Sequence, residues 1–270
     1  MINQYKHLIH STRHFENLNI QAGSDYRYQD ILSLKSFELA NKEISSWDRY
    51  ESTPLHSLSD LASDNGVSLI AYKDESHRFS LKSFKALGGA YAVANLLIKK
   101  LKEQGIEAKS SDLIAGTYSE ITSKITVCCA TDGNHGRSVA WGAQKFGCNC
   151  EIYIHRTVSV AREEAIAKYG AIVNRINGNY DESVHIAAEV SESNGYYVVS
   201  DTSYEGYTDI PKDVMQGYTV MVDEAMKQME EVPTHVFLQG GVGGFPAAVV
   251  SYLVESLECP PIFIVVEPTN

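Results

Sequence analysis

Ser83-Phe84-Lys85-Ala86-Leu87-Gly88-Gly89 is the stretch on which the reading of this chain turns. A strand-like run over 67–72 and a polar turn over 73–80 precede it, and an amphipathic segment to residue 104 follows. Lys85 therefore falls at a predicted helix start just beyond a strand. An ammonium is costly to desolvate, so a lysine in such a place needs a partner or a task. A Schiff base with an aldehyde cofactor is one such task, because it removes the permanent charge. The tripeptide Ser-Phe-Lys alone does not establish this, and the surrounding sequence must supply what the cofactor needs.

Working outward, short apolar runs alternate with longer amphipathic ones. Strands are predicted over 68–72, 125–130, 151–155, 171–176, 196–200, 235–238 and 262–266. Helices are predicted over 83–104, 135–146, 160–169, 180–193, 213–229 and 245–256. The helix from Asp213 is the clearest, since Val214, Tyr218, Met221, Val222, Ala225 and Met229 keep to one face, and this stripe reads as core. Such alternation implies an α/β fold with mostly parallel sheet, whose ligands sit where strands end and helices begin. The first 60 residues are less regular, 45–54 reads as an exposed connection, and 107–124 as a surface insert.

With 270 residues, 44% apolar and 21% charged, the chain can bury a substantial core. A net charge of −11 argues against nucleic acid or an anionic membrane as partner. No run approaches the roughly 18 apolar residues of a membrane span, and residues 1–15 are polar with no signal core; the expected location is the cytosol. Of five cysteines, Cys128 and Cys129 read as core, while Cys148 and Cys150 complete no zinc pattern, so no metal is expected.

Two further motifs fall at strand-to-helix turns. Thr131-Asp132-Gly133-Asn134-His135-Gly136 places an amide, Asn134, and a carboxylate, Asp132, at the mouth of a helix. The same residues also suit a plain helix cap with turn glycines. A partly desolvated Asp132 could act as a general base. Gln239-Gly240-Gly241-Val242-Gly243-Gly244, with Pro246 in the following turn, suits a phosphate held by backbone N–H groups, or a tight turn with no ligand. It completes neither a dinucleotide fingerprint nor a Walker loop, which points to a small phosphorylated cofactor.

In this order, Ser83-Phe84-Lys85, Asp132-Gly133-Asn134-His135-Gly136 and Gly240 to Gly244 resemble the tryptophan-synthase-β-like (fold type II) pyridoxal-phosphate enzymes. Within them, Lys73-Asp74-Glu75-Ser76, Ala130 to Gly136, and Asp201-Thr202-Ser203-Tyr204-Glu205-Gly206-Tyr207 resemble the diaminopropionate ammonia-lyases. The resemblance implies two domains with mostly parallel sheets: a small one over 88–211 and a large, incomplete one from 1–87 and 212–270. It implies pyridoxal 5'-phosphate on Lys85, with Phe84 beside it. Asn134 would bond the phenolic oxygen, and Gly240, Gly241, Val242, Gly243 and Gly244 would hold the phosphate. The implied reaction is α,β-elimination of D- and L-2,3-diaminopropionate to pyruvate and ammonia. Lys85 would be the base for the L-isomer and Asp132 for the D-isomer, with Asp201 seating the substrate or raising the pKa of Asp132. A homodimer is implied as well. His155 and Arg156 read as surface, His135 as structural or near the cofactor, and Tyr207 as lining the site or not. The family normally continues past Glu267-Pro268 and supplies a pyridine-nitrogen partner there, so the chain is expected to be shortened. The alternatives are a serine or threonine dehydratase of the same fold, or a truncated, catalytically incompetent remnant.

Overall fold

The computed structural model describes residues 13–17 and 31–268. Most of the polar start over 1–15, and Thr269 and Asn270 of the final turn, lie outside them. Four strands, β3 (Thr126–Ala130), β4 (Asn149–His155), β5 (Ile172–Ile176) and β6 (Tyr197–Val198), form a parallel sheet in the order β5-β4-β3-β6. Val127, Cys128 and Cys129 are all fully buried, as expected for a central parallel strand covered on both faces. Helix α6 (Asn134–Phe146) packs Val139 and Ala143 onto the side of Val127 and Cys129. Helix α8 (Tyr180–Asn194) packs Ala187 onto the side of Cys128 and Tyr153. Helix α7 (Val160–Ala167) buries Ile166 in the first of these layers.

Helix α3 (Lys85–Lys102) lies between α6 and α9 (Asp209–Gln228). The adjacent glycines of the opening motif make this possible. A Cβ at Gly88 would strike Tyr218 and Val214 of α9, and one at Gly89 would strike Ser138 of α6. The close approach on both sides fixes the height of Lys85 at the helix start. A second parallel pair, β7 (His235–Gln239) and β8 (Ile262–Val266), packs with α10 (Gly244–Ser256) around Val222, Leu238, Val249 and Leu253. Strands β1 (Leu55–Ser57) and β2 (Ala71–Lys73) form a short antiparallel ribbon.

The α/β alternation is as expected, and several details differ. The first 60 residues contain α1 (Leu34–Ser45), whose Phe37, Ala40 and Ile44 are buried, and α2 (Ser59–Asp64) begins at their end. The 45–54 segment is not simply exposed: Trp47 packs among Phe79, Trp141 and Phe146, and Thr53 is 3% exposed. The 107–124 insert holds α4 (Ser110–Ile114) and α5 (Ser119–Thr122), which bury Leu113 and Thr122. Strand β6 stops at Val198, and just beyond it the Ser200 N–H donates to the Tyr207 hydroxyl. Helix α9 begins at Asp209 rather than 213, with Pro211 accommodated in its first turn.

Candidate active site

Lys85 is the first residue of α3, and its Nζ lies 2.5 Å from Asp201 Oδ2. The same ammonium lies 5.4 Å from the ring centres of Phe84 and Tyr218. Three of the four non-glycine residues with positive φ among the described residues, Phe79, Ser80 and Lys82, come just before it. Such backbone persists only where the surroundings hold it. Here the hold is a buried ionic network. Arg78, 1% exposed, donates to Glu75 (2.8 and 2.9 Å) and Glu224 (2.7 and 2.8 Å). Lys73 pairs with Glu224 at 2.8 Å, and Tyr50 donates to Glu224 at 2.7 Å. Burial alone would raise the Glu224 carboxyl, but Arg78, then Lys73 and Tyr50, hold it down to about 2.

Asp201 follows β6 and faces both Lys85 and His135, whose Nδ1 is 3.8 Å from Oδ2. Burial pushes the Asp201 carboxyl up, but His135 and Lys85 outweigh that and hold it below the ordinary carboxylate value. Burial pushes His135 down, so its ring is neutral near pH 7 and the Lys85 ammonium is the counter-charge that matters. His135 Nε2–H donates to the Val199 carbonyl at 2.7 Å, which leaves the buried Nδ1 without a hydrogen bond among the described residues. Tyr207 ties this segment down: its hydroxyl donates to the Val198 carbonyl and accepts from Ser200 N–H, both at 2.9 Å.

The glycine loop joins the same place. Gly240 N–H donates to Val266, while among the described residues no hydrogen bond uses the N–H groups of Gly241, Val242, Gly243 or Gly244. Gly243 caps α10 with φ +85°, a conformation that favours glycine. A Cβ at Gly244 would stand 3.3 Å from the Asp201 carbonyl, and the Phe245 ring is 4.7 Å from that of Phe84. Unspent N–H groups at a helix start form an anion cradle. With an amine at Lys85, this cradle beside it, and an orphaned buried nitrogen on His135, the residues fit pyridoxal phosphate.

Asn134, exposed, is the first residue of α6, and Thr131 Oγ1 accepts from the N–H groups of Gly133 and Gly136 at 3.0 Å to set the turn. Nothing in the sequence of the motif marks Thr131 for this role. Asp132 departs from expectation. Its side chain is 66% exposed, and Oδ1 lies 2.7 Å from His155 Nε2. Asp201 is held by Lys85, so the two carboxylates have separate partners rather than forming a coupled pair. His155, read as surface, is 17% exposed on its side chain; Arg156 is exposed. Tyr180, also not anticipated, opens α8. Burial, followed by the charges of Asp201 and Asp132, pushes its phenol up to about 12. Its place at a helix start after β5 was the available signal.

The chain is 44% identical over 223 residues to the diaminopropionate ammonia-lyase of Escherichia coli (strain K12), covering 81% of this chain and 55% of that one. It is 41% identical over 227 residues to the enzyme of that name from Salmonella typhimurium, with the same coverage. The chain therefore spans about half the length of the curated relatives it matches. The crystal structure of Escherichia coli diaminopropionate ammonia lyase in apo form superposes with a TM-score of 0.81 at 40% identity, over 88% of this chain and 65% of that one. The α/β architecture is that of these fold type II enzymes. Residues 47–270 match the family described as pyridoxal-phosphate dependent enzyme, and the chain belongs to that family.

Proposed function

We propose that the chain carries the site of an α,β-elimination that converts D- and L-2,3-diaminopropionate, with one water, to pyruvate and two ammonia. The observation that carries this reading is the presence of two candidate bases with separate partners: Lys85 on Asp201, and Asp132 on His155. Removing a proton from either enantiomer calls for a base on each side of the α-carbon. The likeness to diaminopropionate ammonia-lyases supports the substrate.

Bound pyridoxal phosphate supplies the electron sink for the pair released at the α-carbon. The protein groups do the rest. Gly241, Val242, Gly243 and Gly244, whose N–H groups are unspent among the described residues, would hold the phosphate at the start of α10, with Gly240 tying the loop to Val266 instead of donating to it, and Asn134 would donate to the phenolic oxygen. Phe84 walls the site through Phe245 and Tyr218. Lys85 takes the α-proton of the L-isomer and Asp132 that of the D-isomer. Asp201, 2.5 Å from Lys85 Nζ, receives the hydrogen bond of the ammonium so formed. The β-nitrogen departs as ammonia with the electrons of its bond to carbon. The reading includes a small domain over 88–211, a homodimer and a cytosolic location; among the described residues no helix is long and apolar enough to cross a membrane.

Pyruvate release from D- and L-diaminopropionate, compared with 2-oxoacid release from serine and threonine, tests the substrate. The proposal expects diaminopropionate to be turned over faster. Faster release from the hydroxy amino acids would make the chain a dehydratase.

A further inference from the structure

We propose that His155 is a positioning residue for Asp132, holding one carboxylate oxygen so that the other is aimed at the substrate. The inference rests on the elimination reading above and adds a residue to it. The parallel register pairs Ala130 of β3 with Tyr153 of β4. Two residues on from each come Asp132 and His155, which the period-two alternation places side by side at the same end of the sheet. His155 Nε2 then meets Asp132 Oδ1 at 2.7 Å, and Thr157 Oγ1 meets His155 Nδ1 at 2.9 Å.

These contacts set the direction of the chain. An ionised carboxylate only accepts, so Nε2 carries the proton, and Nδ1 accepts from the Thr157 hydroxyl. The imidazole is 17% exposed and the carboxylate 66%, so the inner group is fixed and the outer one is steered. An unheld surface aspartate moves among staggered rotamers. Here a charge-assisted hydrogen bond selects one. The main chain is held as well: Arg162 Nη1 donates to the Asp132 carbonyl at 3.2 Å, and its stem lies against Gly133. Among the described residues Asp132 Oδ2 accepts no hydrogen bond. In the D-isomer reaction the α-C–H bond breaks, its proton passes to Oδ2, and its electron pair stays with the substrate carbon. A base misplaced by about 1 Å loses on the order of 100-fold in rate, which sets the scale for removing the hold.

The test compares His155→Ala and His155→Gln with the parent full chain loaded with pyridoxal phosphate, using both enantiomers. His155→Ala is expected to lower kcat for the D-isomer by about 10- to 100-fold, with KM little moved and less than about threefold loss for the L-isomer. His155→Gln keeps a donor toward Oδ1 and should recover most of that loss. Equal losses for both isomers, or no rescue by glutamine, would overturn the proposal. A second readout needs no cofactor: the imidazole ¹⁵N shifts of His155 should report the Nε2–H tautomer and should change in Asp132→Asn. A Nδ1–H tautomer, or shifts indifferent to Asp132→Asn, would also overturn it. If the parent turned over neither enantiomer, the elimination reading would fail, and these shifts would decide separately whether His155 holds Asp132.

Discussion

Lys85 and Asp132 stand at the same end of the four-stranded sheet, each beside a helix start, yet their surroundings differ in kind. Lys85 is partly buried, against a carboxylate at 2.5 Å, with a strained and ionically anchored segment before it. Asp132 is mostly exposed, and its partner is an imidazole. The difference follows from solvation. An ammonium drawn away from water requires an opposite charge, so Asp201 is obligatory for Lys85. An exposed carboxylate keeps its water and has no such need, so its histidine contributes direction rather than charge balance. One base is held by electrostatics and the other by geometry.

The comparison breaks most directly at Lys85. Lys85→Ala should remove cofactor attachment and lower turnover of both isomers by at least about 10⁴-fold, read by pyruvate release. Next comes the anchor behind it. Arg78→Met removes the buried guanidinium that Glu75 and Glu224 share, leaving Glu224 with Lys73 as its cation, and should cost about 3–5 kcal/mol in urea unfolding. The parent should also show an acid dependence that this variant weakens, since Lys73 and Tyr50 remain on Glu224. Glu224 is held near 2 against an ordinary 4.5, so its contribution is complete above pH 4.5 and is lost as pH falls from there through about 2.

On the exposed side the effect is smaller and selective. Asp132→Asn should reduce D-isomer turnover by about 100-fold and L-isomer turnover far less; equal losses would remove the two-base assignment. The smallest effect sharpens the role of the counter-charge. Asp213 on α9 is a half-buried carboxylate whose hydrogen-bond donor is the neutral amide of Asn95, at 2.9 Å, and desolvation pushes it up to about 6 from 3.8. Folding therefore favours its acid form, and stability falls as pH rises from 3.8 through 6. Asp213→Asn should gain about 1–2 kcal/mol at pH 8 and nothing below pH 3.8, measured by urea midpoints.

Much of this was legible in the chain. Strands β3, β4, β5, β7 and β8 and helices α3, α6, α8 and α10 fall within a few residues of the predicted ones, because apolar runs, flanking glycines and alternation act locally. Helix α1 was missed although Phe37, Ala40 and Ile44 have helical spacing behind the Ser33 cap. The signal was present but short, 12 residues against the 20 of α9. The Asp132–His155 pair was not legible. It depends on which residue of β3 lies opposite which residue of β4, and a parallel register is set by packing across 23 residues rather than by either segment alone. The same holds for Asp201: its position beyond β6 could be read, but its choice of Lys85 over Asp132 depends on how α3 seats against the sheet.

The most direct test is the visible absorption spectrum of the chain with added pyridoxal phosphate, followed by borohydride reduction and peptide mapping. The account predicts a Schiff-base band and a single reduced label on Lys85. A label on Lys82 or another lysine, or no band at all, would contradict the placement of the cofactor at the start of α3.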